Sequence, residues 1–181
     1  MNTFDAIAGR FSYRGNYLPT PVTREHLTAI LQAGMDAPSG CNKQTTSFIA
    51  VDDPQILQSL RAIMPAVGQT APAIICVLTR EIIAYNDRKF HMQDYSAAIE
   101  NMLLAIHDLG YASCWVEGYV TDPDRLGDKM AAILGVPGEY KLVAYLPVGV
   151  PEMLPRRVRK KPFDQRAWFN GFGKTECVHD R

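Results

Sequence analysis

Arg10, Ser12 and Arg14 alternate along a short polar stretch, Arg10-Phe11-Ser12-Tyr13-Arg14. Residues two apart in an extended chain share a face, so this spacing puts two guanidiniums and a hydroxyl on one side. A guanidinium meets phosphate as a two-pronged donor, and each charge-assisted bond contributes roughly 1.5–3 kcal/mol. The stretch reads either as an anion grip or as two solvated arginines. A second segment, Pro38-Ser39-Gly40-Cys41-Asn42-Lys43-Gln44, crowds turn formers together with hydroxyl and amide groups. Such a loop can offer polar atoms to the edge of a planar heterocycle or to a sugar, or it can simply join a helix to a strand.

Two further segments carry chemistry. In Trp115-Val116-Glu117-Gly118-Tyr119 the glycine lets a backbone N–H approach a ligand with no Cβ between them; the plainer alternative is a strand-ending turn with Trp115 in the core. Arg156, Arg157, Arg159, Lys160 and Lys161 fill five of the six positions from 156 to 161, ahead of Pro162 and the aromatic residues Phe163, Trp168 and Phe169. That cluster suits a phosphate clamp, a solvated face or nucleic-acid binding. The last lacks any reader motif.

Other chemistries find no support. No GxGxxG follows a strand and no GxxxxGK[ST] is present, so neither a Rossmann nor a P-loop nucleotide site is expected. HExxH is absent, and His26, His91, His107 and His179 have no spacing suited to a metal. Cys41, Cys76, Cys114 and Cys177 lie far apart without CxxC, which fits a reducing cytoplasm better than a disulfide scaffold. No metal is expected.

The elements that position these residues follow from pattern. With 181 residues, 47% hydrophobic and 21% charged, the chain suits one globular domain over 1–181. Lys+Arg and Asp+Glu both total 19, so the overall field selects neither nucleic acid nor an anionic membrane as a partner. Met1 to Asp5 lacks the pattern of a secretory signal. Residues 62–79 are uncharged but broken by Pro65, Gly68 and Pro72, which rules out a membrane span there.

Thr3 to Ala8 suits a short helix stopping at Gly9. Thr23 caps a second helix that ends near Met35, and Asp53-Pro54 opens a third with Ile56, Leu57, Leu60 and Met64 on one face. Ser47 to Val51, Ala73 to Leu78, Ala112 to Val116 and Leu142 to Val148 read as strands. The second, apolar without alternation, belongs at the centre of a sheet. Arg80 to Gln93 reads as an excursion or a partly helical lid. Asp94 to Leu109 is helical and apolar around most of its circumference, with Gly110 behind it. Asp122-Pro123 opens a last helix reaching about Leu134.

Taken in order, these pieces resemble the nitroreductase family of FMN-dependent oxidoreductases. The resemblance is carried by Arg10-x-Ser12-x-Arg14, Ala37-Pro38-Ser39-x-x-Asn42-x-Gln44, Ala71-Pro72, the apolar helix ending Leu109-Gly110, Trp115 with Glu117-Gly118, Pro147-Val148-Gly149-Val150-Pro151 and the basic stretch. It implies an α+β fold, a mixed sheet sandwiched by helices, in an intertwined homodimer with FMN at the interface. A basic and aromatic extension would begin at about 151. The apolar helix would be buried between subunits.

The resemblance also implies roles. Arg10 and Ser12 would hold the phosphate and ribityl end of FMN, with Arg157 and Arg159 closing on the same phosphate. Arg14 would sit near N1 and O2 of the ring, and Gln69 at its pyrimidine edge. Ser39 and Asn42 would form the loop that the partner subunit contributes, Gln44 would be the family's motif glutamine, and Pro38 would join them in binding the cofactor. Glu117 and Gly118 would lie near N5, with no catalytic side chain because FMN carries the chemistry.

The implied reaction passes hydride from NADH or NADPH through flavin to a small acceptor such as a nitroaromatic or quinone, by ping-pong turnover in the cytoplasm. A flavin-binding protein of the same fold with a specialised non-nitroreductase role is the alternative. Nucleic-acid binding through the basic tail is a remote one. Two departures stand out: Thr45-Thr46 follows the motif glutamine where family members commonly have Pro-Trp, and the chain is short.

Overall fold

A computed structural model describes residues 2–121, 125–154 and 158–174. The centre is strand β2 (Ala73–Thr79), flanked by β1 (Thr46–Val51) and β5 (Lys141–Val148), both antiparallel to it. Every residue of β2 is buried, as its unbroken apolar run requires.

Side chains alternate across a strand, so β2 feeds two cores. Ala73, Ile75 and Val77 face α2 (Arg24–Met35) and α4 (His91–Asp108), where Leu27, Ile30, Ile99, Met102 and Ile106 fill the layer. Ile74, Cys76 and Leu78 face α3 (Pro54–Arg61) and α6 (Leu126–Ile133), against Leu57, Leu60, Leu126 and Met130. The result is the expected α+β sandwich of helices about a sheet. Helix α1 (Thr3–Gly9) lies against α4. Among the described residues no helix is long and apolar enough to cross a membrane.

Local chemistry fixes the ends. Asn2 caps α1 by accepting from the Asp5 N–H, Thr23 caps α2 from His26, and Asp53 caps α3 from Gln55 and Ile56. Helix α3 stops at Arg61, a turn before the expected Met64. Helix α4 begins at His91, three residues before the expected start. The opening Asp122-Pro123 of the last helix lies outside the described residues. A turn, α5 (Gly118–Thr121), precedes α6.

Two expectations need correction. Residues 80–93 contain a hairpin, β3 (Ile83–Tyr85) with β4 (Arg88–Lys89), rather than a helical lid. Its turn residues Asn86 and Asp87 have φ 43° and 60°, the left-handed pair that two-residue hairpins demand. Glu81 ties this hairpin to β5 by accepting from Lys141 and, at 2.9 Å, from Lys89. Those bonds, Lys141 first, pull its carboxyl down to about 2.

Residues 112–116 form no continuous strand. They touch β5 and the residue just beyond it at two pegs, Val116 with Tyr145 and Ala112 with Gly149. The register would next pair Cys114 with Pro147, and proline has no N–H to give. One further bridge, Ser12 with Ser113, is parallel and supplies the mixed pairing.

Helix α4 spends only part of its apolar circumference within one chain. Its buried side chains, Asp94, Tyr95, Ala98, Ile99, Met102, Leu103 and Ile106, follow a helical stripe, while Ala97 and Leu104 are half-buried within the single chain.

Gly127 shows how closely α6 rides on β5. A Cβ there would meet the Leu142 carbonyl oxygen at 2.5 Å and that of Val120 at 3.0 Å. Gly127→Ala is therefore expected to lower stability by about 1–3 kcal/mol, since backbone atoms must move. A urea transition matching the parent protein would contradict that packing.

Candidate functional site

The stretch after α1 is extended as the spacing predicts: Ser12 and Arg14 are exposed while Tyr13 between them is buried. It is held beside segment 112–116 by the Ser12–Ser113 bridge and by the Tyr13 N–H donating to the Ser113 carbonyl at 2.8 Å. Arg10 is half-buried, and its Nε stands 2.9 Å from Oε1 of Glu100 on α4, an ion pair whose alignment falls short of a hydrogen bond. A cation, a hydroxyl and a second cation thus share one edge. That set suits a group with two negative charges and several acceptor oxygens.

Segment 112–118 continues the same edge. The Ser113 hydroxyl and the Trp115 indole N–H are buried without a partner. Trp115 meets Tyr95 edge-on with ring centroids 6.5 Å apart, and the Tyr95 hydroxyl donates to Glu117 Oε1 at 2.8 Å. Burial, and next the bond to Glu117, push the Tyr95 hydroxyl up. At Gly118 a Cβ would meet nothing within 4 Å, so its backbone borders open space in which a flat ring can lie. Burial pushes the neighbouring Cys114 thiol up to about 11, with Arg14 opposing.

The loop Pro38 to Gln44 is more constrained than a plain connection. Cys41, Asn42 and Gln44 sit at φ 50°, 53° and 48°, a left-handed region that non-glycine residues rarely occupy. Each such residue costs on the order of 1 kcal/mol or more unless its surroundings fix it. Here the Ser39 hydroxyl accepts from the Gln44 N–H at 3.0 Å. The buried Asp94 carboxylate accepts from the Gly40 N–H at 2.8 Å and from the Thr45 hydroxyl at 2.6 Å. Asn42 and Gln44 stay exposed. Beside the loop lies a cavity of about 330 Å³ walled by Pro38, Ser39, Gly40, Phe90, Gln93 and Ala97.

Gln69 is engaged elsewhere. Its side-chain amide donates to the carbonyls of Arg61, Met64 and Pro65, so it caps the end of α3 instead of presenting those donors to a heterocycle. Arg159 is exposed, and Arg157 lies outside the described residues.

Asp94 and Tyr95 are the functional neighbours that sequence reasoning missed. An acidic residue in the first turn of a helix ordinarily reads as a solvated complement to the helix dipole. The available signal was spacing: Asp94 stands four and eight residues before Ala98 and Met102, on the face that the helix buries.

The family model described as Nitroreductase family matches residues 7–69 and 65–150. An Archaeoglobus fulgidus protein with the provisional name NADH dehydrogenase/NAD(P)H nitroreductase is 31% identical over 139 residues, covering 75% of this chain and 78% of its own. Among solved structures, an FMN-dependent nitroreductase from Clostridium difficile R20291 is similar at TM-score 0.78 and 26% identity, over 94% of this chain and 100% of that one. A nitroreductase with bound FMN from Bacteroides fragilis is similar at TM-score 0.73 and 26% identity, over 89% and 96%.

Proposed function

Because the chain belongs to the nitroreductase family, we propose that it is an FMN-dependent oxidoreductase that takes hydride from NADH or NADPH and delivers it to a small acceptor such as a nitroaromatic or quinone. The observation that carries this reading is the shared edge: segment 10–14, with its two arginines and serine, lies along segment 112–118, which ends in open backbone at Gly118.

FMN fits these residues by charge and shape. Its phosphate needs the donors of Arg10 and Ser12, with Arg157 and Arg159 of the tail as further cations. Its ring needs an uncluttered backbone, which Gly118 supplies. When bound, FMN supplies two-electron redox chemistry. The chain's part is to orient and to tune. Arg14 would stand on the N1 and O2 side of the ring and favour negative charge there, and the Gly118 N–H would be the donor near N5. Pro38, Ser39, Asn42 and Gln44 form the wall contributed to the partner's site.

We read the chain as one domain over 1–181 with an extension from about 151, assembled as a homodimer. Support comes from apolar side chains that one chain leaves uncovered. Met153, Leu154, Val158, Phe163, Phe169 and Phe172 are all exposed, the last at 88%. A run of that kind marks an interface. The free thiols of Cys41, Cys76 and Cys114 suit a reducing cytoplasm.

Freshly purified protein is expected to show the two near-visible flavin absorbance bands and a mass near twice 20.2 kDa. Anaerobic NADH or NADPH should bleach the bands, and a benzoquinone or nitroaromatic should restore them. Donor and acceptor taking turns at one site give parallel double-reciprocal lines. A colourless protein that neither retains nor takes up FMN overturns the reading.

A further inference from the structure

We infer that Asp94 and Tyr95, neighbours in the first turn of α4, are positioning residues that brace two segments of the cofactor site in one frame. The inference rests on the proposed function for what those segments hold, but its geometry stands independently.

Successive residues of a helix point about 100° apart, so two neighbours can serve two different elements. Asp94 faces loop 38–45 and spends both carboxylate oxygens there, on the Gly40 N–H and the Thr45 hydroxyl. Tyr95 faces segment 115–118, meeting the Trp115 ring and donating to Glu117. The turn that carries them is itself anchored, because Ile99, Met102 and Ile106 further along α4 are fully buried against the sheet.

The loop needs such an anchor. Its left-handed residues 41, 42 and 44 persist only where contacts over-determine them. Inside the loop the Gln44 N–H donates to the Ser39 hydroxyl, the Asn42 N–H to the Ser39 carbonyl and the Lys43 N–H to the Gly40 carbonyl, and outside it the Arg80 N–H holds the Thr45 carbonyl, but none of these ties the loop to α4. Asp94 does that, with charge-assisted bonds at 2.8 and 2.6 Å. Gly40 also packs closely on Phe90, the residue before α4, since a Cβ there would lie 2.5 Å from the Phe90 ring. On the other side, the Tyr95 bond fixes Glu117, the residue directly before the open backbone of Gly118.

The test compares Asp94→Ala, Asp94→Asn and Tyr95→Phe in the full-length holoprotein. Readouts are FMN affinity by fluorescence quenching, the visible circular dichroism of bound flavin, its midpoint potential, and hydrogen exchange of the loop amides. Asp94→Ala is expected to weaken FMN binding ten- to a hundredfold and to speed exchange at Gly40 and Gln44.

Asp94→Asn should restore most of the affinity, because the amide oxygen still accepts from Gly40 and the amide N–H can donate to Thr45. Tyr95→Phe keeps the ring against Trp115 and removes only the bond to Glu117. It should alter the flavin dichroism and potential while leaving loop exchange unchanged.

If Asp94→Ala fails to fold, Thr45→Val removes one partner of the same carboxylate and is expected to weaken FMN binding severalfold. Parental affinity, dichroism, potential and exchange in the folded variants overturn the brace. A parent protein that binds no FMN overturns the proposed function instead, and loop exchange in the variants still decides whether Asp94 anchors the loop.

Discussion

Arg10→Ala combined with Arg14→Ala is expected to weaken FMN binding by about two to four orders of magnitude. Each arginine supplies charge-assisted hydrogen bonds worth roughly 1.5–3 kcal/mol, and about 1.4 kcal/mol is a factor of ten in affinity. Removing Arg10 strands no buried charge, because its partner Glu100 is 45% exposed and water takes over. The loss therefore reports on the ligand and not on the fold.

Riboflavin, which lacks the phosphate, separates the two roles. Arg10→Ala alone should weaken FMN but leave riboflavin nearly unchanged, whereas Arg14→Ala alone should weaken both. Fluorescence quenching at two salt concentrations measures each. Arginines that merely decorate the surface would leave all four affinities equal to those of the parent protein.

Ile75→Ala carries the largest expected effect on stability. Ile75 is 0% exposed in the central strand and shares one cluster with Ile99 and Met102 of α4. Truncation leaves a cavity that a sheet clamped between helix layers cannot close, at a cost of about 2–5 kcal/mol. For a chain of this size that corresponds to a fall in melting temperature of roughly 5–15 °C.

The comparison belongs on flavin-free protein, because bound ligand adds its own stabilisation and hides part of the difference. The same change at Ile56, 40% exposed on α3, is expected to cost well under half as much. Equal losses at the two positions would mean that the layer between β2 and α4 is not the main core.

Where periodicity and caps decide the structure, the sequence is informative. The buried strand Ala73–Thr79, the capped starts at Thr23 and Asp53, and the alternation of Ser12 and Arg14 about a buried Tyr13 are all local properties of a few residues. Segment 112–116 misled because its mostly apolar composition describes burial, while its pairing is broken by Pro147, thirty-odd residues away. The hairpin was legible in principle: Asn86-Asp87 is a pair of turn formers, obscured by strands of only three and two residues, the second of them charged.

In the candidate site the outward placement of Ser12 and Arg14 was legible from the alternation of side chains alone. Gln69 was not, because an amide suits a heterocycle and a helix end equally well. Asp94 was not, because its value depends on a loop fifty residues earlier.

Hanging the 112–116 stretch from β5 by two bridges has a mechanical consequence. A strand zipped along its full length shifts only by unzipping, and each lost rung weakens the sheet. Here two rungs carry the stretch, Ser113 is held from its other side by Ser12 and Tyr13, and the ladder between β2 and β5 runs on through Pro147 without it. A substitution within 112–116 therefore puts two rungs at risk and not a whole strand, so changes along this edge of the candidate site spare the scaffold.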